Sequence, residues 1–223
     1  TNFIGTTDNQ PLEFWVNNAR ALRLEPTSGP PNVIGGYSGN TVAAGVFGAT
    51  ISGGGKSGVP NSVTYNFGAV GGGRGNTASS SHATVAGGQD NAASGQVATV
   101  GGGWINTASG WYATVGGGHD NTASGFAALH SNTTAGGNTA NGNEALFSNT
   151  TGYDNTASGD QALYSNTTGT SNSALGLGAL YSNTTGNGNT ACGVSALYNA
   201  TGDSNTASGV SALLNATTGY RNV

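Results

Sequence analysis

From Val70 to Ser124 the chain repeats one pattern of apolar and polar positions four times. Val70, Val85, Val100 and Val115 recur every 15 residues, each followed by a short, mostly glycine-rich turn and then by Asn76, Asn91, Asn106 or Asn121. Each asparagine opens a Thr-Ala-Ser or Ala-Ala-Ser triplet. In Ala83-Thr84-Val85, strand alternation puts alanine and valine on one face and threonine on the other. A 15-residue unit is too short for a helix pair, and Thr, Val, Asn and Gly favour brief strands joined by tight turns. A fixed short period means stacked units, each unable to bury its apolar face without a neighbour. The pattern predicts an all-β chain in which each repeat is one coil of a parallel β-solenoid.

After Ser124 the pattern changes. Ala128-Leu129, Ala145-Leu146, Ala162-Leu163, Ala179-Leu180, Ala196-Leu197 and Ala212-Leu213 recur at 17, 17, 17, 17 and 16 residues. The residue after each leucine is His130, Phe147, Tyr164, Tyr181, Tyr198 or Leu214, a mostly aromatic column. Strand alternation predicts leucine inside the coil and the aromatic column on the other side. A long aromatic stripe on a soluble stack is explained by burial between chains, so Phe147, Tyr164, Tyr181 and Tyr198 are the candidate subunit-contact residues. Polar runs such as Ser165-Asn166-Thr167-Thr168-Gly169 are expected to form outer turns, where stacked asparagines can build amide ladders.

The first 31 residues differ. Leu12-Glu-Phe-Trp-Val16 and Arg20-Ala-Leu-Arg-Leu24 alternate around Asn17-Asn18, which predicts a β-hairpin, and Pro26, Pro30 and Pro31 end it. The organisation is therefore 1–31, a hairpin connector or cap; 32–126, a β-roll of 15-residue Gly-rich repeats with an insertion near 56–69; and 127–223, a β-roll of 16–17-residue Ala-Leu repeats. The insertion is expected to bulge from the stack as a loop. The missing initiator methionine and an end inside a repeat, at Asn222-Val223, read as a piece of a longer protein.

Composition sharpens this picture. Forty-one glycines and 6% charged residues leave little bulk for a globular core, so association of several chains would help. Five basic and nine acidic residues give a net charge of −4 without a basic cluster, which argues against nucleic acid as a partner. No apolar run approaches the roughly 20 residues of a membrane helix, so direct membrane insertion by this segment is not expected. Cys192 takes the slot of Ser158 and Ser208 and reads as a small packing residue.

Enzymatic chemistry needs converging acids, bases or nucleophiles. His82, His119 and His130 fall in no metal-spaced cluster, and Asp90, Asp120, Asp154 and Asp203 occupy turn positions suited to Asx turns. The Gly-Gly-Gln-Asp and Gly-Gly-His-Asp turns lack the recurrent aspartates of calcium-binding rolls. No catalytic residue, metal or cofactor is assigned. Ice binding needs flat rows of paired threonines, and only single columns such as Thr84, Thr99 and Thr114 stand out. One group rises above background: Trp104, Trp111, Tyr112, His119 and Phe126 replace smaller or polar residues of the preceding repeats. With coils about 4.8 Å apart they form either a platform for a sugar face or protein loop, or a contact between subunits.

Asn172-Ser173-Ala174-Leu175-Gly176 resembles the head repeat of YadA-like trimeric autotransporter adhesins, and Asn155-Thr-Ala-Ser-Gly159 and Asn189-Thr-Ala-Cys-Gly193 match the same slot more loosely. Phe3-Ile-Gly-Thr-Thr-Asp8 with its hairpin resembles connectors of other trimeric fibres, phage-type tail fibres included. The resemblance spans about residues 33–223 and implies a left-handed parallel β-roll, a homotrimer, and display on a bacterial cell surface or outer membrane. The implied function is non-enzymatic: attachment to a host, prey or matrix surface through a glycan or matrix protein, by multivalent weak binding. The alternative is a fibre shaft that only spaces a binding tip. Periods of 15 to 17 and triple glycines depart from the usual head repeat, which leaves the ligand open.

Overall fold

The computed structural model describes residues 4–223, so Phe3 of the connector-like segment lies outside the described residues. Among the described residues there are 19 strands and no helix, arranged as one sheet of eight strands and one of eleven. The fold is a parallel β-solenoid. Strands β1 (Leu12–Val16) and β2 (Ala19–Glu25) form the predicted hairpin. Asn17 and Asn18 have φ of 48° and 57°, the two left-handed positions that a type I′ turn requires. β2 then pairs antiparallel with β3 (Asn32–Gly35), and β3 is the first rung of the eight-stranded sheet's parallel stack, with Ile34 opposite Ile51.

From there the two sheets are built rung on rung. One, the valine sheet, carries Thr84–Val85, Thr99–Val100 and Thr114–Val115 in register. The other, the alanine sheet, carries Thr77–Ala78, Ala92–Ala93, Thr107–Ala108 and Thr122–Ala123, and continues to Thr206–Ser208. Val85, Val100 and Val115 point inward and are fully buried, as are Ala93, Ala108 and Ala123 facing them. The threonines face outward and are half-buried in this region. A small residue opposite a medium one fills a thin coil, and the next coil covers what is left.

The insertion behaves differently from a loop. Ser62–Val63 is an ordinary rung between Thr41–Val42 and Thr77–Ala78, and Ala69–Val70 one between Thr50–Ile51 and Thr84–Val85. What departs from the ladder is a tight turn in which Lys56 and Val59 exchange backbone hydrogen bonds of 3.3 and 3.0 Å. Backbone pairing inside the stack outweighed the irregular sequence, because unpaired buried N–H and C=O groups are costly.

The Ala-Leu segments are not strands. The valine sheet ends at Thr114–Val115, and Leu129, Leu146, Leu163, Leu180, Leu197 and Leu213 sit in turns with φ of 51–54°. The leucines from Leu129 to Leu197 are fully buried. The inward direction expected of them is correct, but it comes from a left-handed backbone rather than from strand alternation. Stacking continues through Leu146 N–H to Ala162 O at 3.0 Å and Leu163 N–H to Ala179 O at 2.9 Å. Each left-handed non-glycine residue costs about 1–2 kcal/mol, which burial of a leucine, about 1.5–3 kcal/mol, offsets.

A buried amide ladder runs the length of the stack. Asn76, Asn91, Asn106 and Asn121 are buried, and so are Asn138, Asn155, Asn172, Asn189 and Asn205 after them. In each step the side-chain oxygen accepts from the next asparagine's backbone and side-chain nitrogens: Asn106 N–H and Nδ2 reach Asn91 Oδ1 at 2.9 and 3.1 Å. Asn106 Nδ2 also donates to Gly102 O and Gly118 O at 3.0 and 2.9 Å. A second ladder, expected in the outer turns, lies buried: Asn149, Asn166 and Asn183 each donate to the asparagine before, beginning at Asn132. It ends at Asn183, whose buried Oδ1 has no partner, because the next coil has Ala200 at that position.

Candidate functional site

Two connections per coil join the sheets, and they form the two edges of the stack. Leaving the valine sheet, the chain turns through Gly101-Gly102-Gly103-Trp104-Ile105. Leaving the alanine sheet, it turns through Ser109-Gly110-Trp111-Tyr112. The five aromatic candidates therefore do not form one platform. Trp104 and His119 are on the glycine edge, and Trp111, Tyr112 and Phe126 on the other.

On the glycine edge, Arg74, Gln89, Trp104, His119 and Gly136 follow one another as single parallel bridges. The turn is tight: Gly103 has φ 89°, and a Cβ there would collide with the carbonyl of Gly118 in the next coil. Trp104 is half exposed, and His119 Nδ1 lies 3.2 Å from the carboxylate of its neighbour Asp120. On the opposite edge, Tyr112 and Phe126 meet edge-on at 5.6 Å with Trp111 beside them, 62% exposed. Tyr112 has φ 54°, which turns its ring away from the coil.

That second edge also carries aliphatic residues that the repeat pattern does not single out. Backbone bonds from Ala127 N to Trp111 O, Glu144 N to Phe126 O, Gln161 N to Asn143 O, Gly178 N to Asp160 O, Ser195 N to Leu177 O and Ser211 N to Val194 O trace one column along it, in which Asn143 and Asp160, joined at 2.9 Å, separate the aromatic from the aliphatic residues. Leu177, Val194 and Val210 are exposed, and Leu175 is exposed on the adjoining face of the alanine sheet. The signal was in the sequence: each edge residue stands two before the buried alanine, as Trp111 before Ala113 and Leu177 before Ala179. Cys192 is not packed inside; it is exposed on the outward column between Leu175 and Ser208.

The outward face of the alanine sheet carries hydroxyl rows that the sequence reading did not resolve. Thr77-Ala-Ser79, Thr107-Ala-Ser109 and Thr122-Ala-Ser124 each present Thr and Ser across one rung. The second position lacks the methyl of a threonine row, and Leu175 and Cys192 interrupt it. No charged side chain occurs in either outward column.

The aromatic column is a stack. His130–Phe147, Phe147–Tyr164, Tyr164–Tyr181 and Tyr181–Tyr198 lie at centroid distances of 4.8, 5.3, 5.1 and 4.8 Å, with planes within 10° of parallel. Each ring from Phe147 to Tyr198 is half-buried largely against the next. Ring faces are therefore unavailable to a sugar, and edges and hydroxyls face out. Desolvation first, then the neighbouring Tyr198 and Tyr164 phenols and Glu144, push the Tyr181 hydroxyl above its ordinary pKa.

At the first rung, a groove of about 500 Å³ lies among Glu25, Pro26, Asn32, Val42 and Val46. Its carboxylate is engaged: Glu25 takes Arg23 at 2.9 Å and Asn32 Nδ2 at 3.3 Å. Glu13 holds Arg23 at 3.3 Å and Arg20 at 3.8 Å. Among the described residues no three His, Cys, Asp or Glu side chains group as metal ligands, and no helix is long and apolar enough to cross a membrane. Comparison of the chain with protein-family models, with curated proteins and with solved structures finds no match.

Proposed function

We propose that the chain is the head segment of a homotrimeric, non-enzymatic fibre, displayed on a bacterial surface, that attaches to a host, prey or matrix surface. The observation that carries this reading is a pair of exposed apolar clusters on one edge, Trp111 with Phe126 and Leu177 with Val194 and Val210, separated by Asn143 and Asp160 and lying beside a sheet face without charged side chains. Monomeric soluble proteins rarely leave contiguous apolar patches open, and clusters aligned along one edge suit either like copies or a repetitive target. The contact between copies is assigned to that edge and the outward face of the alanine sheet, and not to the aromatic column, whose rings already cover one another. The coil is left-handed in this reading, as in the YadA-like heads that Asn172–Gly176 resembles, and the hairpin caps the first rung. Trp104 and His119, on the far edge, remain free for a glycan or matrix protein. Three copies of a weak site would act through avidity.

Light scattering on the purified chain tests the assembly. A particle of three times 21.7 kDa is expected. A monodisperse monomer rejects it. Replacing the segment by unrelated coils of equal length, in cells that display it, tests attachment. Lost adhesion supports the head, whereas full adhesion supports the rival reading of a shaft that spaces a tip elsewhere.

A further inference from the structure

Three tyrosines occupy the same position in consecutive coils. Tyr164 and Tyr181 are parallel within 3° at 5.1 Å, and Tyr181 and Tyr198 within 1° at 4.8 Å. The backbone fixes this register beside each ring, through Ser165 N–H to Tyr181 O at 3.0 Å and Ser182 N–H to Tyr198 O at 2.9 Å. Gly178 leaves the room for Tyr198, since a Cβ there would stand 3.1 Å from its ring. The rings are half exposed, so small oxidants reach them. The other five tyrosines, Tyr37, Tyr65, Tyr112, Tyr153 and Tyr220, stack with no second tyrosine.

We propose that the Tyr164–Tyr181–Tyr198 stack is an oxidative cross-linking site, at which peroxide-dependent one-electron oxidants join neighbouring rings as dityrosine and staple one coil to the next. Each of two adjacent phenols loses one electron and one proton to give a phenoxyl radical with spin density on the ring carbons beside the oxygen. Two such carbons form a C–C bond, and the ring protons displaced move to the oxygens, restoring both phenols. Two electrons and two protons leave the protein and reduce one hydrogen peroxide to two waters. Rotation about χ1 and χ2 brings the carbons together while the ladder holds both backbones. Holding both partners in one chain makes the coupling unimolecular. With Cys192 as its single cysteine, the chain has no disulfide to do the same. The inference rests on the fold alone and does not require the attachment reading.

The test treats the full chain with a haem peroxidase and hydrogen peroxide, follows dityrosine fluorescence, and maps the linked peptides by mass. Wild type should form a bond between Tyr164 and Tyr181 or between Tyr181 and Tyr198, with loss of two hydrogens and an initial rate per molecule independent of protein concentration. Tyr181→Phe keeps a stacked ring but separates the remaining pair by two coils, so the rate should fall about tenfold or more. Tyr164→Phe should retain the Tyr181–Tyr198 product, and Tyr153→Phe should match wild type. Thermal melts equal to wild type show that each variant is folded. A rate that scales with protein concentration, linkage mapped to Tyr153 or Tyr220, or Tyr181→Phe equal to wild type would overturn the proposal.

Discussion

The two halves of the stack solve one packing problem with opposite backbones. From ladder asparagine to buried alanine the distance is seven residues in both, Asn106 to Ala113 and Asn138 to Ala145. From alanine to the next asparagine it is eight in the first half, Ala98 to Asn106, and ten in the second, Ala145 to Asn155. All the extra length therefore falls on one side of the coil. In the first half Thr99 faces out and Val100 in. In the second, Leu146 follows the alanine with φ 52°, turns inward, and sends Phe147 out to the stack. One left-handed residue per coil exchanges a β-branched core for a larger one, and replaces the glycine turn by Asn-Thr-Thr-Gly with its own amide ladder.

The amide ladder common to both halves is where the largest loss is expected. Asn106→Ala and Asn172→Ala each leave the backbone N–H of the next ladder asparagine without its acceptor and take a side-chain donor from the preceding asparagine's oxygen inside the coil. Each should lower unfolding free energy by about 3 kcal/mol or more in urea melts. A near-zero change in either half would mean that water repairs the ladder there. The cores should then separate the halves: Leu163→Ala should cost about 3 kcal/mol and Val100→Ala about 2 kcal/mol, read in the same melts. Equal costs would show that the left-handed leucine relaxes once its side chain is gone. The smallest effect is a gain. Ala200→Asn gives the orphaned Asn183 Oδ1 a donor and should add about 1 kcal/mol. No gain would mean that the turn at Ala200-Thr201-Gly202, one residue shorter than Asn183-Thr184-Thr185-Gly186, holds the new amide out of line.

Much of the site was legible too, though not its partition. The period identified Trp104, Trp111, Tyr112, His119 and Phe126 as departures from the repeat, but a repeat number is a height along the stack and says nothing about which edge a residue occupies. The edge is set by whether a residue follows the valine strand or the alanine strand, and that needs the sheet assignment. Leu177, Val194 and Val210 do not stand out in the sequence, because aliphatic residues in a strand-rich chain read as core. The insertion near residues 56–69 misleads for a related reason: irregular spacing suggests a loop, yet Ser62–Val63 has a ladder on both sides.

The repeat alone dictates the stack: the recurrence of valine, alanine, leucine and asparagine at fixed spacing names the inward columns, because identical side chains in adjacent coils must meet. Asn17-Asn18 likewise determined the hairpin turn, since that dipeptide tolerates two left-handed residues in a row. Folding settles what the letters leave open: Ala-Leu is a turn and not a strand, the aromatic candidates part to two edges, and Asn183 Oδ1 is left without a donor. Those outcomes depend on φ at single residues and on what the next coil offers, and alternation of apolar and polar letters carries neither.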